Sequence, residues 1–330
     1  MRLFLKKILY SILLILLVAT MLQLLLTYRQ NGRSVTGHEH FHAIINKNYD
    51  ILFLGNSRCA HGFDPAIFKK YLNVSSFNLG MCGHGEMSMQ TLRLTDYMVF
   101  NEKPKIVILN VDPLTGTSSS NNLDNRHLDE KPNYSRYAFW MEEDSKMVSD
   151  YFHFDYMERY IPLYAIVKYK LFFNCIAMTN GKIWLKDNGL LKNDSTQILH
   201  STVDSIYKNN FWSYSHFLES YDTIKVQLDS FNALCKKNNI NLICTSLPIS
   251  DPMYSKEYFD KVGQMCRDLN IPFFDYGQNV SFNKNMRNFS DHLHLNILGA
   301  DKFCTQLCND SNFVKLVKQR ISSGVYQHVP

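Results

Sequence analysis

The chain has 330 residues, 45% of them hydrophobic, with a formal charge of +5 at pH 7. That is enough apolar material for one large domain or two small ones. Part of the excess charge is Arg2, Lys6 and Lys7 beside the N-terminal apolar run, and no recognition motif accompanies the rest, which excludes nucleic acid as an expected partner.

Ile8 to Leu26 is interrupted only by Tyr10, Ser11, Thr20 and Gln23. At about 1.5 Å per residue such a run spans a hydrocarbon core of about 30 Å. The basic residues before it favour a cytoplasmic N-terminus and a body outside the cytoplasm. A cleaved signal peptide is the competing reading, but its apolar core is usually about 7–15 residues and ends in small residues. Here Met21-Leu22-Gln23-Leu24 follows Ala19-Thr20, so residues 1–28 are expected to stay as an anchor. Residues 29–47 read as a juxtamembrane linker. Its His38, His40 and His42 alternate, but no fourth metal ligand can be named, and a solvated linker is the favoured reading. No metal site is expected there.

From residue 48 a strand–helix alternation begins, as in a parallel sheet with helices on both faces. Strands are expected at 51–54, near 75–78 and at 105–111, with helices at about 65–71 and 86–99. Asp64 is a good N-cap and Pro65 suits the first helical position. A glycine-rich turn, Gly80-Met81-Cys82-Gly83-His84-Gly85, separates the second strand from its helix. The alternation then stops for about a hundred residues, expected as an insertion at about 114–215. Residues 115–129 are rich in Ser, Thr, Asn and Asp and read as an exposed loop. Residues 136–176 are strongly aromatic. Tyr156, Tyr160 and Tyr164 fall on one helical face, although Pro162 would kink or restart that helix. The insertion packs on the core in the plain reading; it caps a substrate groove, or faces a membrane, in the functional ones. From His216 helical spacing returns, followed by a strand at 240–245, a helix at about 256–269, a strand at 272–275 and a helical stretch from Gly299 to Leu307. The eight cysteines have no tight framework and read mainly as buried thiols; an exported location would permit bridges without assigning them.

The chemistry lies at two remote places. Ser57 follows Ile51-Leu52-Phe53-Leu54-Gly55-Asn56, just past the carboxyl end of the first strand, where open α/β sheets build their sites. Asp291 and His294 stand three residues apart near the other end of the chain. A serine hydroxyl needs a base, and the base needs an orienting group. Asp291 can brace one ring nitrogen of His294 while the other reaches Ser57. The backbone amides of Ser57 and Gly83 are candidate oxyanion donors. His292 reads as a structural neighbour of His294, and His61 and His84 as surface histidines unless they line the mouth.

Gly55-Asn56-Ser57, Asn78-Leu79-Gly80-Met81-Cys82-Gly83 and Asp291-His292-Leu293-His294 resemble the ordered motif blocks of the SGNH/GDSL hydrolases. The resemblance covers about 48–113 and 216–310. It implies an α/β/α sandwich with a five-stranded parallel, flavodoxin-like sheet. It also implies acyl-ester chemistry with Ser57 as nucleophile, His294 as base and Asp291 as its support. The usual Gly-Asp-Ser is Gly-Asn-Ser here. The asparagine that the family places after the third strand falls, by register, on Asp112, which cannot donate when ionised. Asn110, two residues earlier, serves only if the strand end is reshaped. Arg58 would compensate with its charge in the groove or pair with Asp112, and His84 would line the same groove.

The anchor, the insertion and the Gly-Asn-Ser-Arg form resemble the membrane-tethered branch similar to alginate O-acetylation proteins and the teichoic-acid D-alanine transfer protein. That resemblance implies a ping-pong acyl transfer from Ser57 onto an extracytoplasmic envelope glycan or water, with no metal and no organic cofactor required. Its implied partners are the glycan, an acyl donor and a membrane-bound acyltransferase. Two alternatives stand beside it: a catalytically degenerate binder of a polymer or partner, and a lipid esterase or thioesterase.

Overall fold

The computed structural model describes residues 1–30, 44–111, 131–139, 143–169, 187–192, 221–250 and 255–323. The His38–His42 cluster, Asp112, the 115–129 loop, Cys175 and the start of the helix expected from His216 lie outside the described residues. The chain divides into two compact units. One holds the N-terminal helix α1 (Arg2–Gln30) with residues 94–100 and the described residues between 131 and 169. The other holds the sheet.

The sheet unit is an α/β fold. Its strands are β1 (Ile51–Leu54), β2 (Ser76–Asn78), β3 (Ile106–Asn110), β4 (Asn241–Ser246) and β5 (Phe273–Asp275). All pair in parallel in the order β2-β1-β3-β4-β5, the flavodoxin-like order, with the reversal of winding beside β1. All four β1 side chains are fully buried, as a central strand covered on both faces requires.

One face of the sheet presents Ile51, Phe53, Ile106, Ile108 and Ile243 to a cluster that includes Phe63, Phe68, Phe303 and Phe313. The last four come from the chain around α2 (Ser57–Gly62) and from α3 (Pro65–Leu72) and two C-terminal helices, Ile297–Asn309 and Ser311–Ser323. Phe53 stacks on Phe63 at 4.6 Å and meets Phe68 edge-on at 4.6 Å. Helices Tyr221–Lys237 and Lys256–Asp268 pack against β4 and β5.

The expected strands and the expected caps are present: Asp64 accepts from the Ala66 amide at 2.8 Å and Pro65 opens α3. Several helices go beyond expectation, two of which bear on the site or the core. The short α2 begins at Ser57 itself, and Ser311–Ser323 extends the C-terminal layer. The described cysteines are free thiols, all buried except the half-buried Cys82.

Two glycines let the chain fold tightly at the end of β1. Gly55 has φ of 150°, and a Cβ there would lie 2.8 Å from Cys59 Cβ and 3.1 Å from Asn110 Cβ. At Gly80 a Cβ would lie 2.4 Å from the Ala60 nitrogen. The loop after β2 thus rests directly on α2. Gly80→Ala is expected to lower stability by at least about 2 kcal/mol, because the obstructing atoms are backbone. A melting curve of the variant checks it.

In the other unit, Pro162 interrupts the tyrosine face as foreseen. Two short helices, Tyr156–Tyr160 and Tyr164–Lys168, replace one, and Leu163 between them has φ of 64°.

Candidate active site

Ser57 is the first residue of α2, directly after the turn that leaves β1. Asn56 caps this helix by accepting from the Arg58 amide at 2.9 Å. The same oxygen of an aspartate would cap equally well, so the amide form keeps the local structure without adding a charge.

The segment after the Met286–Asn288 turn brings Asp291 and His294 to the same place. Asp291 Oδ1 accepts from the Leu293 and His294 amides at 2.7 and 2.8 Å, which folds the segment around the carboxylate. His294 Nδ1 lies 2.8 Å from Asp291 Oδ2 and 3.0 Å from Oδ1. A carboxylate only accepts, so Nδ1 carries the proton and Nε2 is left as an acceptor. His294 Nε2 lies 2.7 Å from Ser57 Oγ, across 237 residues of sequence. The geometry allows the serine proton to pass to the ring while the ring's charge is balanced by Asp291.

Burial alone would raise the Asp291 pKa, but the hydrogen bond and charge of His294 and the two amides outweigh it. They hold the carboxyl at about 2, against 3.8 ordinarily. In the unfolded chain the carboxyl takes up its proton at higher pH than in the fold. The stabilisation is therefore fully present above about pH 4 and is lost as pH falls towards 2. Asp291→Asn is expected to flatten that part of the acid-unfolding profile, checked by urea midpoints from pH 5 down to pH 2.

Arg58 corrects an expectation. It does not line a groove: its side chain is only 1% exposed. Nε donates to Leu293 O at 3.2 Å, and Nη2 donates to Leu247 O at 2.8 Å and Pro248 O at 3.0 Å. A planar guanidinium can reach three carbonyls from two separate loops, which a lysine cannot do with the same geometry. Arg58 therefore ties the exit of β4 and the Asp291–His294 segment to the helix that bears Ser57. His84 also departs from expectation. It is buried, with Nδ1 3.0 Å from Glu86 Oε1, and its carbonyl accepts from Gln90 Nε2 at 3.0 Å. It braces the turn rather than facing a groove or open solvent.

Gly83 sits exposed on that turn with φ of 83°. Asn110 ends β3 and is buried; its Oδ1 accepts from the Leu247 amide at 3.2 Å. That bond fixes the amide plane and leaves Nδ2 as the donor end. His292 is a structural neighbour, with Nδ1 3.2 Å from Ser250 Oγ, and its carbonyl accepts from that hydroxyl at 2.7 Å.

Four contacts had no sequence signal. Residues 187–192 cross α2: the Leu191 amide donates to Ala60 O at 2.9 Å, and Asn188 O accepts from the Asn78 amide at 2.8 Å. His61 Nδ1 lies 2.6 Å from Leu191 O, and its ring meets the His294 ring edge-on at 5.4 Å. A carbonyl only accepts, so this nitrogen carries a proton, and the strap sets the ring that flanks His294.

No family model matches the chain. Among curated proteins it is similar to berberine bridge enzyme-like C-2 of Nicotiana tabacum, 28% identical over 109 residues, covering 32% of this chain and 19% of that protein. The chain thus spans about a fifth of the length of the curated relative it matches. Among solved structures it is similar to a GDSL-like lipase of Bacteroides thetaiotaomicron VPI-5482, with 14% identity, 83% of this chain and 88% of that one covered, and a TM-score of 0.34. The fold rests on the sheet order and register rather than on that likeness.

Proposed function

We propose that this protein is a serine acyl esterase or O-acyltransferase of the SGNH/GDSL type. The observation that carries the reading is the relay Asp291–His294–Ser57, with 2.8 Å and 2.7 Å links at the carboxyl end of β1. In this reading His294 removes the proton from Ser57 Oγ as it attacks an acyl carbonyl. Asp291 stabilises the imidazolium, which then protonates the leaving alkoxide. Water, or a hydroxyl of an acceptor, next attacks the acyl-enzyme and frees Ser57 with His294 again as base. The oxyanion donors in this reading are the Ser57 and Gly83 amides. The reading draws on side chains and backbone amides of this chain.

The acceptor in this reading is an extracytoplasmic envelope glycan, with the acyl donor delivered by a membrane-bound acyltransferase. Among the described residues one helix is long and apolar enough to cross a membrane, and Arg2, Lys6 and Lys7 in its first turns support a body held outside the cytoplasm. The resemblance to the membrane-tethered branch supplies the substrate class.

A fluorophosphonate probe tests the reading directly. It is expected to label the full-length protein once, on Ser57, with the adduct located by peptide mass spectrometry. Absence of labelling in folded protein would favour a binder built on the same fold.

A further inference from the structure

The unit that contains α1 also carries an apolar surface that the esterase reading does not use. Its helix Tyr156–Tyr160 exposes Tyr156 at 76%, Met157 at 45% and Tyr160 at 45%; Ile161 follows at 36%, and Val167 on the next helix is 61% exposed. Positions 156, 157, 160 and 161 fall on one side of a helical turn. The Tyr156 and Tyr160 rings lie 4.7 Å apart and form a continuous patch.

This patch is attached to the apolar helix at a defined level. The Leu163 amide donates to Gln23 Oε1 at 3.0 Å, and Gln23 is buried. Ile166 and Leu26 share one buried cluster, against which Leu22, Leu163 and Tyr169 pack. Gln23 lies about 22 Å along the helix from Ile8, so a hydrocarbon core of about 30 Å that begins at Ile8 extends past it by roughly 8 Å. The turn Ile161-Pro162-Leu163 is therefore docked to a part of α1 that is still inside the apolar span. Between Leu163 and Tyr169 the one charged residue is Lys168, which reaches back to Glu158. The fully buried Glu158 is held there by Lys131 at 3.1 Å, Lys168 at 2.7 Å and the Tyr169 hydroxyl at 2.5 Å. The exposed Tyr156, Met157, Tyr160, Ile161 and Val167 thus stand beside an ion cluster built on the buried Glu158, and a pairing of apolar and charged groups suits a membrane–water boundary.

We propose that the face formed by Tyr156, Met157, Tyr160, Ile161 and Val167 is seated in the interfacial layer of the bilayer that α1 crosses. The tyrosine rings rest against the upper methylenes of the acyl chains with their hydroxyls at headgroup level. The helix is then a supported anchor rather than a free tether, since its outer turns and the seated face hold the unit at two places. The proposal rests on α1 as a span and not on the serine chemistry, so the two stand or fall separately.

The test is photocrosslinking of the full-length protein in nanodiscs of phosphatidylethanolamine and phosphatidylglycerol. p-Benzoylphenylalanine replaces Tyr156, Tyr160 or, as a reference on the sheet unit, Lys256, which is 71% exposed. Phospholipid adducts at 156 and 160 are expected at ten-fold or more above the yield at 256. Equal yields would overturn the proposal. Crosslinks at 156 and 160 to a second copy of the chain, in place of lipid, would overturn it too and assign the face to self-association. The same label at Val167 provides the measurement if either tyrosine variant fails to elute as a monodisperse particle.

Discussion

Replacing Ser57 by alanine is expected to reduce p-nitrophenyl acetate turnover by about ten-thousand-fold or more while leaving the fold intact. Ser57 is half-buried at the start of α2, and its Oγ makes its contact with His294 Nε2. The backbone amides that close the first turn remain. Alanine removes the nucleophile without opening a cavity. His294→Ala is expected to match this loss, and the double variant to be no worse than either single one, because nucleophile and base act as one unit. Steady-state rates of the three variants, with circular dichroism to establish folding, check this. Turnover retained in both single variants would remove the serine mechanism and leave the α/β unit as a binder.

The second large effect is expected at Arg58. Arg58→Met keeps the length of the side chain but leaves the carbonyls of Leu247, Pro248 and Leu293 without the donors they have now. Losing one partner of a buried, charge-assisted set costs about 3–5 kcal/mol. For a unit of this size that corresponds to a fall in melting temperature of roughly 10 °C. The activity should fall as well, because Leu293 adjoins His294, and the segment that carries the base is held to α2 through that carbonyl. Arg58→Lys is expected to lie between the two, since an ammonium keeps the charge but not the fork. Thermal melts and kcat of both variants measure it. A melting temperature unchanged in Arg58→Met would show that the two loops are held by other contacts.

Much of the sheet unit can be read from the sequence because its signals are local. Four consecutive apolar residues closed by glycine mark β1, and the turns of the parallel strands that follow carry their own punctuation. Asp64 and Pro65 set the start of α3 by satisfying orphan amides and fixing φ, both of which act within one turn. Pro162 divides the tyrosine face for the same kind of reason. The short helix α2 is less legible: a Gly-Asn-Ser turn is equally compatible with a loop, and the helix is held by contacts from Gly80 and the 187–192 strap.

The role of Arg58 shows the limit from the other side. An arginine beside a serine at a strand end reads as a groove cation, because a charge is expected to face water. Its actual partners are carbonyls 189 to 235 residues away, and backbone carbonyls have no sequence signature. His84 is hidden in the same way by the fold of its turn, and the edge-on contact of His61 with His294 depends on a strap from a distant part of the chain.

By itself the sequence determined the α/β alternation, the apolar span ahead of it, and which serine, histidine and aspartate to consider together. Those depend on periodicity, caps and residue chemistry, which act over a few residues. Only the tertiary structure decided that Ser57 and His294 meet at 2.7 Å, that Arg58 is a buried tie rather than a surface charge, and that Gln23 of the apolar helix is docked by Leu163. Each of these joins atoms more than a hundred residues apart. Such separations are closed by the burial of whole faces, whose free energy is summed over the core and is not written at any one position.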